Sequence, residues 1–261
     1  MKIVVKVGTQ AILAPDGNIL EAIMKTLVEQ LVELKALDHQ VVLVTSGAVA
    51  SGRYVAREML HKEFGDSVGE RQLLASLGQH VLLNAYANWF KPFGIATSQI
   101  LLTRQDFLTP EHTSNIDRLI RGLLATDRVI PIINENDSVA IEELMFTDND
   151  ELAGLIAAQM NSDKLIILSS IAGVFDGPPD APSSKLIPVL EPDMTHWPVV
   201  SASKTPQGRG GMLSKLDTSR KVSSLGITTH IASVREPSIL ARLLKGELIG
   251  TTIKGKPRAT R

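Results

Sequence analysis

Two lysines and a cluster of carboxamides and carboxylates carry the chemistry this sequence could perform. Lys6 stands inside "KIVVKV", among Val4, Val5 and Val7. An ammonium group in an apolar strand is costly to bury unless a partner balances it. Lys215 closes "GRGGMLSK", just after Gly208, Gly210 and Gly211. A glycine-rich loop entering a helix offers backbone N–H groups to an anion, and a nearby lysine adds a point charge. "PIINENDSVA" sets Asn134, Glu135, Asn136 and Asp137 in a row after an apolar run. Turn chemistry would need one or two such residues, not four. "FTDNDELAGLIA" adds Asp148, Asn149 and Asp150. Read alone, this last stretch is a capped helix, with Asp148 and Glu151 in a capping-box relation. Lys6 read alone is equally an edge-strand charge that discourages aggregation.

Positioning these groups requires a scaffold, and the hydrophobic pattern supplies one. "KIVVKV", "QVVLVTSGA", "GIATSQILL", "RVIPIIN" and "DKLIILSS" read as strands. Between them lie helical patterns. Leu20, Ile23, Leu27, Leu31 and Leu34 recur at spacings of three and four, one face of an amphipathic helix. "ERQLLASLGQHVLLNAYANWF", "SNIDRLIRGLLAT" (capped by Ser114 or Asn115) and "DELAGLIAAQM" follow. Strand and helix in alternation mean crossover units and a mostly parallel sheet covered on both faces. The fold class is α/β, a three-layer sandwich.

The rhythm breaks over residues 177–211, which hold Pro178, Pro179, Pro182, Pro188, Pro192, Pro198 and Pro206. Proline cannot donate to a ladder, so this stretch reads as loops forming a functional flap, with a short hairpin at most. "GMLSKLDTSRKVSSLG" is then a helix stopped by Gly226. "TTHIAS" is a strand, "EPSILARLLKG" a helix and "GTTIKGK" a last strand.

In such a sheet, ligands bind beyond the carboxyl ends of the strands. There the sequence places Gly8, then Ser46-Gly47, then "NENDSVA", then Ser169-Ser170. Small residues at one edge let backbone N–H groups approach an anion. Each turn alone is weak evidence; their agreement at one edge is the signal.

Composition narrows the function. The 261 residues carry 27 Lys plus Arg against 28 Asp plus Glu, which argues against a coat for nucleic acid or anionic membrane. Aromatics are 4%, too few for a stacking platform. Without cysteine there is no thiol nucleophile and no cysteine metal site. The six histidines show no metal-ligand spacing. No run reaches the length of a membrane span, and no signal-peptide layout opens the chain, so a cytoplasmic protein is expected. The P-loop pattern and the G-x-G-x-x-G fingerprint are both missing, which disfavours a dehydrogenase.

The motifs "VVKVGT", "VTSGAVASG", "LLTRQD", "PIINENDSVA", "TDNDELAGLIA" and "GRGGMLSKL" together resemble the amino-acid kinase family. Within it they resemble the glutamate 5-kinase (gamma-glutamyl kinase) branch. They occur in family order over almost the whole chain. The opening turn discriminates: acetylglutamate kinases and aspartokinases look like K-x-G-G there, whereas this chain has Lys6-Val7-Gly8-Thr9.

The resemblance implies phosphorylation of the glutamate side-chain carboxylate by ATP with Mg²⁺ carried on the phosphates, the first step of proline biosynthesis. It implies a glutamate lobe over about residues 1–160 and a nucleotide lobe over about residues 161–261. Lys6 and Lys215 correspond to lysines flanking the transferring phosphoryl group, and Asp150 to the carboxylate that holds both. Ser46, Gly47, Asp137 and Asn149, with Asn134 and Asp148 in the same loops, correspond to the glutamate site. Lys6, Gly8, Ser169, Ser170, Arg209, Gly210, Gly211, Met212, Leu213, Ser214 and Lys215 correspond to the ATP site. A homodimer or homotetramer and feedback inhibition by proline, through a loop around residues 53–69, are also implied.

Two departures stand out. Many members carry Thr-Asp after the fifth strand, where this chain has Ser169-Ser170. Many bacterial members also carry a C-terminal PUA module of RNA-binding type; the chain reads as the kinase domain alone. Two rivals keep the fold: a kinase for another acceptor (acetylglutamate, aspartate or a nucleoside monophosphate), and a non-catalytic amino-acid sensor.

Overall fold

The computed structural model describes residues 1–140, 146, 148–194, 197 and 211–257. In chain order the elements are β1 (Lys2–Val7), α1 (Thr9–Ile12), α2 (Glu21–Ala36), β2 (Gln40–Val44), α3 (Ala48–Leu60), α4 (Val68–Phe90), β3 (Ala96–Leu102) and α5 (Pro110–Ala125). Then come β4 (Val129–Glu135), α6 (Asn149–Gln159), β5 (Lys164–Ser169), β6 (Val189–Leu190), α7 (Met212–Ser224), β7 (Thr228–Ser233), α8 (Ile239–Leu244) and β8 (Thr251–Ile253).

The strands form one sheet in the order β3-β4-β2-β1-β5-β7-β8-β6. All described neighbours are parallel except β7 and β8. β1 lies between β2 and β5, with Lys6 in register with Val44 on one side and Ile167 on the other. The edge-strand reading of Lys6 therefore fails. The chain builds the sheet outward from β1 in both directions. The carboxyl ends of β1 and β5 meet at the point where the direction reverses, the usual place for a ligand in an open α/β sheet.

Strand alternation divides the core into two layers. Ile3, Val5 and Val7 pack with α2, α4 and α8. Val4, Val42, Val44, Leu165 and Ile167 pack with α5, α6 and α7. Lys6 has the parity of Val4, so its side chain leaves the sheet on the α6–α7 side. That parity decides which helices can supply its partner.

Three expectations need correction. The second strand, expected through Ala48, ends at Val44, and Ala48–Leu60 forms helix α3, which takes up the first part of the loop expected around residues 53–69. Gly47 has φ +109° and turns the chain there. Gly52, which looks like loop punctuation, and Gly78, inside the expected long helix, are where α3 and α4 touch. A Cβ on Gly52 would lie 1.9 Å from the Leu74 carbonyl oxygen, and one on Gly78 would lie 1.9 Å from that of Ala48. The loop within 53–69 thus shrinks to a short connection. Arg53 holds it, donating to the carbonyls of Phe64 and Gly65 and pairing with Asp66. Finally, α5 starts earlier than Ser114. Its cap is Thr109, whose hydroxyl accepts from His112 N, with Pro110 at the first helical position.

In the proline-rich stretch the described part holds the two-residue strand β6, parallel to β8, and a short antiparallel pairing in which Leu186 bridges Phe175, with Asp176 N donating to the Lys185 carbonyl and Ile187 N to that of Val174.

Candidate functional site

The centre of the site is a carboxylate shared by two lysines. Asp150 Oδ1 lies 2.7 Å from Lys6 Nζ, and Asp150 Oδ2 accepts from Lys215 Nζ at 2.7 Å. Lys6 is 4% exposed, Lys215 8% and Asp150 0%. Three elements converge to make this contact. Lys6 comes from the carboxyl end of β1, Asp150 from the first turn of α6, and Lys215 from the first turns of α7. The two helices approach closely one turn further on. A Cβ on Gly154 would sit 2.6 Å from Thr218 Cγ2. Gly154 follows Asp150 by one turn and Thr218 follows Lys215 by about one, so the tight crossing holds the ion pairs in reach.

The charges support one another. Burial pushes the Asp150 carboxyl upward, but the ammonium groups of Lys215 and Lys6 outweigh it and hold it well below the usual carboxylate range. The lysines shift in opposite senses. Burial lowers Lys6 in spite of Asp150, and the charge of Lys215 adds to the fall. Burial also disfavours charged Lys215, but Asp150 prevails and raises it. Asp148 is raised, first by burial and then by the charge of Asp150.

Asp148 caps α6 and so aims Asp150. Its Oδ1 accepts from Asp150 N at 2.8 Å and from Glu151 N at 3.1 Å. The expected capping role is real, and it coexists with the ion-pair centre instead of competing with it. Glu151 turns its side chain to Arg104 of the "LLTRQD" stretch.

A second group lies beside the first. Asn149 Nδ2 donates to Ser46 Oγ at 3.0 Å and to Asn134 Oδ1 at 2.8 Å. Asn134 is buried at the end of β4 and donates to Gln79 Oε1 of α4 at 2.7 Å. Gln79 was not anticipated: a glutamine inside a long helix reads as surface, and nothing local marks it as buried. Glu135 is also buried, and its Oε1 accepts from Phe146 N at 3.0 Å. Asp137 stands partly exposed in the turn after β4. Gly47 fits the left-handed turn between Ser46 and α3. A Cβ on it would lie 2.8 Å from Leu13 Cδ1.

The remaining residues line the same sheet edge. Gly8 donates its N–H to the Leu168 carbonyl at 3.1 Å, which ties the end of β1 to β5. An ideal Cβ on Gly8 would lie 3.8 Å from Lys6 Nζ. Ser169 ends β5, its hydroxyl accepting from Ile171 N at 3.1 Å, and Ser170 follows, partly exposed. Gly211 is the N-cap of α7, and Met212, Leu213 and Ser214 form its first turn. Arg209 and Gly210 lie outside the described residues.

Among the described residues, no three Asp, Glu or His side chains cluster so as to hold a metal ion. An open cleft of about 520 Å³ lies elsewhere, at the start of α5 and beside Gln159 at the far end of α6, and none of the candidate residues lines it.

Comparison with known proteins agrees with this architecture. A profile of the amino acid kinase family matches residues 1–233. A glutamate 5-kinase of Bacteroides thetaiotaomicron is 42% identical over 246 residues, 94% of this chain and 67% of that protein. A glutamate 5-kinase of Chlorobaculum tepidum is 41% identical over 262 residues, 100% of this chain and 71% of that protein. Among solved structures, the T. acidophilum isopentenyl phosphate kinase product complex superposes with a TM-score of 0.70 at 14% identity, covering 97% of this chain and 100% of that one. At that identity the likeness concerns the fold.

Proposed function

This chain belongs to the amino acid kinase family, and from that premise we propose that it transfers the γ-phosphoryl group of ATP to the side-chain carboxylate of L-glutamate. The product is γ-glutamyl phosphate, and the step opens proline biosynthesis. The observation that carries this reading is the Lys6–Asp150–Lys215 triple, buried at the sheet edge beside a pocket of carboxamides.

The chemistry suits those groups. A glutamate side chain has an unperturbed pKa of about 4.3, so it is ionised at neutral pH and needs no general base. A carboxylate oxygen attacks the γ-phosphorus, a new O–P bond forms, the bond to the bridging β–γ oxygen breaks, and ADP leaves. Two anions must be held together, and charge grows on the oxygens in flight. Positioning and charge neutralisation do the catalytic work in phosphoryl transfer. Lys6 and Lys215 supply fixed positive charge in a dry site, where it acts strongly. Asp150 holds both ammonium groups in place before the substrates arrive.

Ser46, Gly47, Asn134, Asp137, Asp148 and Asn149 form the glutamate side of the site in this reading. Gly8, Ser169, Ser170 and residues 209–215 form the ATP side. ATP is taken as its Mg²⁺ complex, with the ion carried on the phosphates. Mg²⁺ on the phosphates supplies further charge neutralisation. The lobe division near residue 160 follows the same partition.

A cytoplasmic location goes with a soluble substrate pair; no described helix is long and apolar enough to cross a membrane. Inhibition by proline and assembly into a homodimer or homotetramer complete the reading, and a proline titration with sedimentation of the enzyme tests them.

The test of the acceptor is ADP release with glutamate, N-acetylglutamate, aspartate and UMP supplied in turn. Glutamate alone should support turnover well above the ATP-only background. Equal or greater turnover with another acceptor would overturn the assignment.

A further inference from the structure

Three polar side chains recur at seven-residue intervals along α4, and each binds the carboxyl edge of the sheet. Gln72 Nε2 donates to the Ala140 carbonyl at 3.3 Å. Gln79 Oε1 accepts from Asn134 at 2.7 Å. Tyr86 Oη lies 3.0 Å from Thr45 Oγ1. A seven-residue spacing places all three on one face of the helix. The Gly52–Gly78 crossing brings α4 close to α3 at Ala48 and Gly52.

The middle contact fixes an orientation. The Glu135 backbone N–H can only donate, and it donates to Asn134 Oδ1 at 3.0 Å. That settles which end of the Asn134 amide is oxygen. Asn134 Nδ2 therefore points at Gln79 and needs an acceptor there, which Gln79 Oε1 provides. Asn134 Oδ1 then also receives Asn149 Nδ2, whose second hydrogen goes to Ser46 Oγ. Both amide hydrogens of Asn149 are used. Its Oδ1 is buried and has no hydrogen-bond partner among the described residues.

An unpaired buried acceptor is costly unless a ligand completes it. Glutamate at neutral pH carries two carboxylates, which only accept, and one ammonium group, which donates. We propose that Gln79 is a positioning residue for the acceptor substrate: through Asn134 it holds the Asn149 amide so that Oδ1 receives the glutamate ammonium group. This rests on the glutamate-kinase reading above. Gln79 touches neither substrate in this scheme; the Glu135 N–H sets the polarity of the amide chain, and Gln79 anchors its first member by accepting from Asn134 Nδ2.

The test compares wild-type enzyme with Gln79→Met, which keeps the length and removes the acceptor. Glutamate KM, ATP KM, kcat and inhibition by glutarate are measured. Glutarate has both carboxylates and no ammonium group. Losing one hydrogen bond to the ammonium should raise glutamate KM about tenfold, with kcat and ATP KM changed by less than about threefold. The inhibition constant of glutarate should not move. Parallel weakening of glutamate and glutarate, or an unchanged glutamate KM, would overturn the proposal. Should Gln79→Met fail to fold by thermal melting, Gln79→Glu decides. It keeps an accepting oxygen at the same place and should hold glutamate KM within about threefold of wild type; a larger rise would overturn the proposal. Wild-type enzyme without glutamate-dependent ADP release would instead remove the underlying reading, and the inference with it.

Discussion

Lys6 and Lys215, one from the central strand and one from a late helix, grip opposite oxygens of the Asp150 carboxylate, each at 2.7 Å. Neither lysine is placed by its own element alone. The shared anion fixes the distance between two cations that would otherwise repel.

Lys215→Met removes one of these charges and keeps the side-chain bulk. If the ammonium acts mainly on the transition state, kcat falls by about 10³-fold while glutamate KM changes by only a few-fold. Steady-state kinetics with glutamate varied at saturating ATP measures both. A kcat within tenfold of wild type would remove Lys215 from the catalytic group.

Asp150→Asn acts on stability as well as rate. It leaves two buried ammonium groups without their counter-charge, and breaking a buried ion pair in this way costs about 3–5 kcal/mol. For a chain of this size that lowers Tm by on the order of 10 °C. The double variant Asp150→Asn with Lys6→Met should recover part of the loss, because one uncompensated charge is gone. Calorimetry of the two variants checks the order. A double variant less stable than Asp150→Asn would contradict the account.

Gly154→Ala tests the helix crossing. Its Cβ would meet Thr218 Cγ2 at 2.6 Å, and α6 must move away from α7 to relieve the contact. Overpacking of this kind costs about 1–3 kcal/mol, and it also draws Asp150 away from Lys215, so kcat falls too. Adding Thr218→Ser deletes the clashing methyl and should restore both quantities. Additive losses in the double variant would mean the two positions do not press on each other.

His230 gives the fold a measurable acid sensitivity. It lies in β7, with Nδ1 3.0 Å from Thr252 Oγ1 and Nε2 3.3 Å from Lys164 Nζ. Burial, and then the charge of Lys164, push its pKa down from 6.5 to about 4. Between these values the unfolded chain binds a proton that the folded one does not. Its contribution is constant above pH 6.5 and is lost as the pH falls toward 4, approaching about 3 kcal/mol. Denaturant unfolding between pH 7 and pH 4 should show a shallower decline for His230→Gln than for wild type. Parallel declines would contradict this origin.

Much of the scaffold was legible in the sequence because periodicity reports burial. The alternation of Ile3, Val5 and Val7 with Val4 and Lys6 anticipated the two layers, and the α/β class followed from strands and helices in turn. Helix α3 was hidden because its contact residue, Gly52, has no side chain and resembles a loop signal; only the approach of α4 explains it. Thr109 caps α5, and Pro110 at the first helical position is the mark of that start in the sequence. Asp150 could be linked to Lys6 only by resemblance, since local patterns do not say which helix covers which face of a strand. Gln79 left no local trace at all, because its role depends on the end of β4, far along the chain.

The central claim is that a glutamate carboxylate, held near Lys6, Asp150 and Lys215, becomes an acyl phosphate. Incubation with glutamate, MgATP and hydroxylamine tests it most directly, since hydroxylamine converts an acyl phosphate to a hydroxamate. The account predicts γ-glutamyl hydroxamate in step with ADP for wild-type enzyme, and almost none for Lys215→Met. ADP release without hydroxamate, or hydroxamate formation undiminished in Lys215→Met, would contradict it.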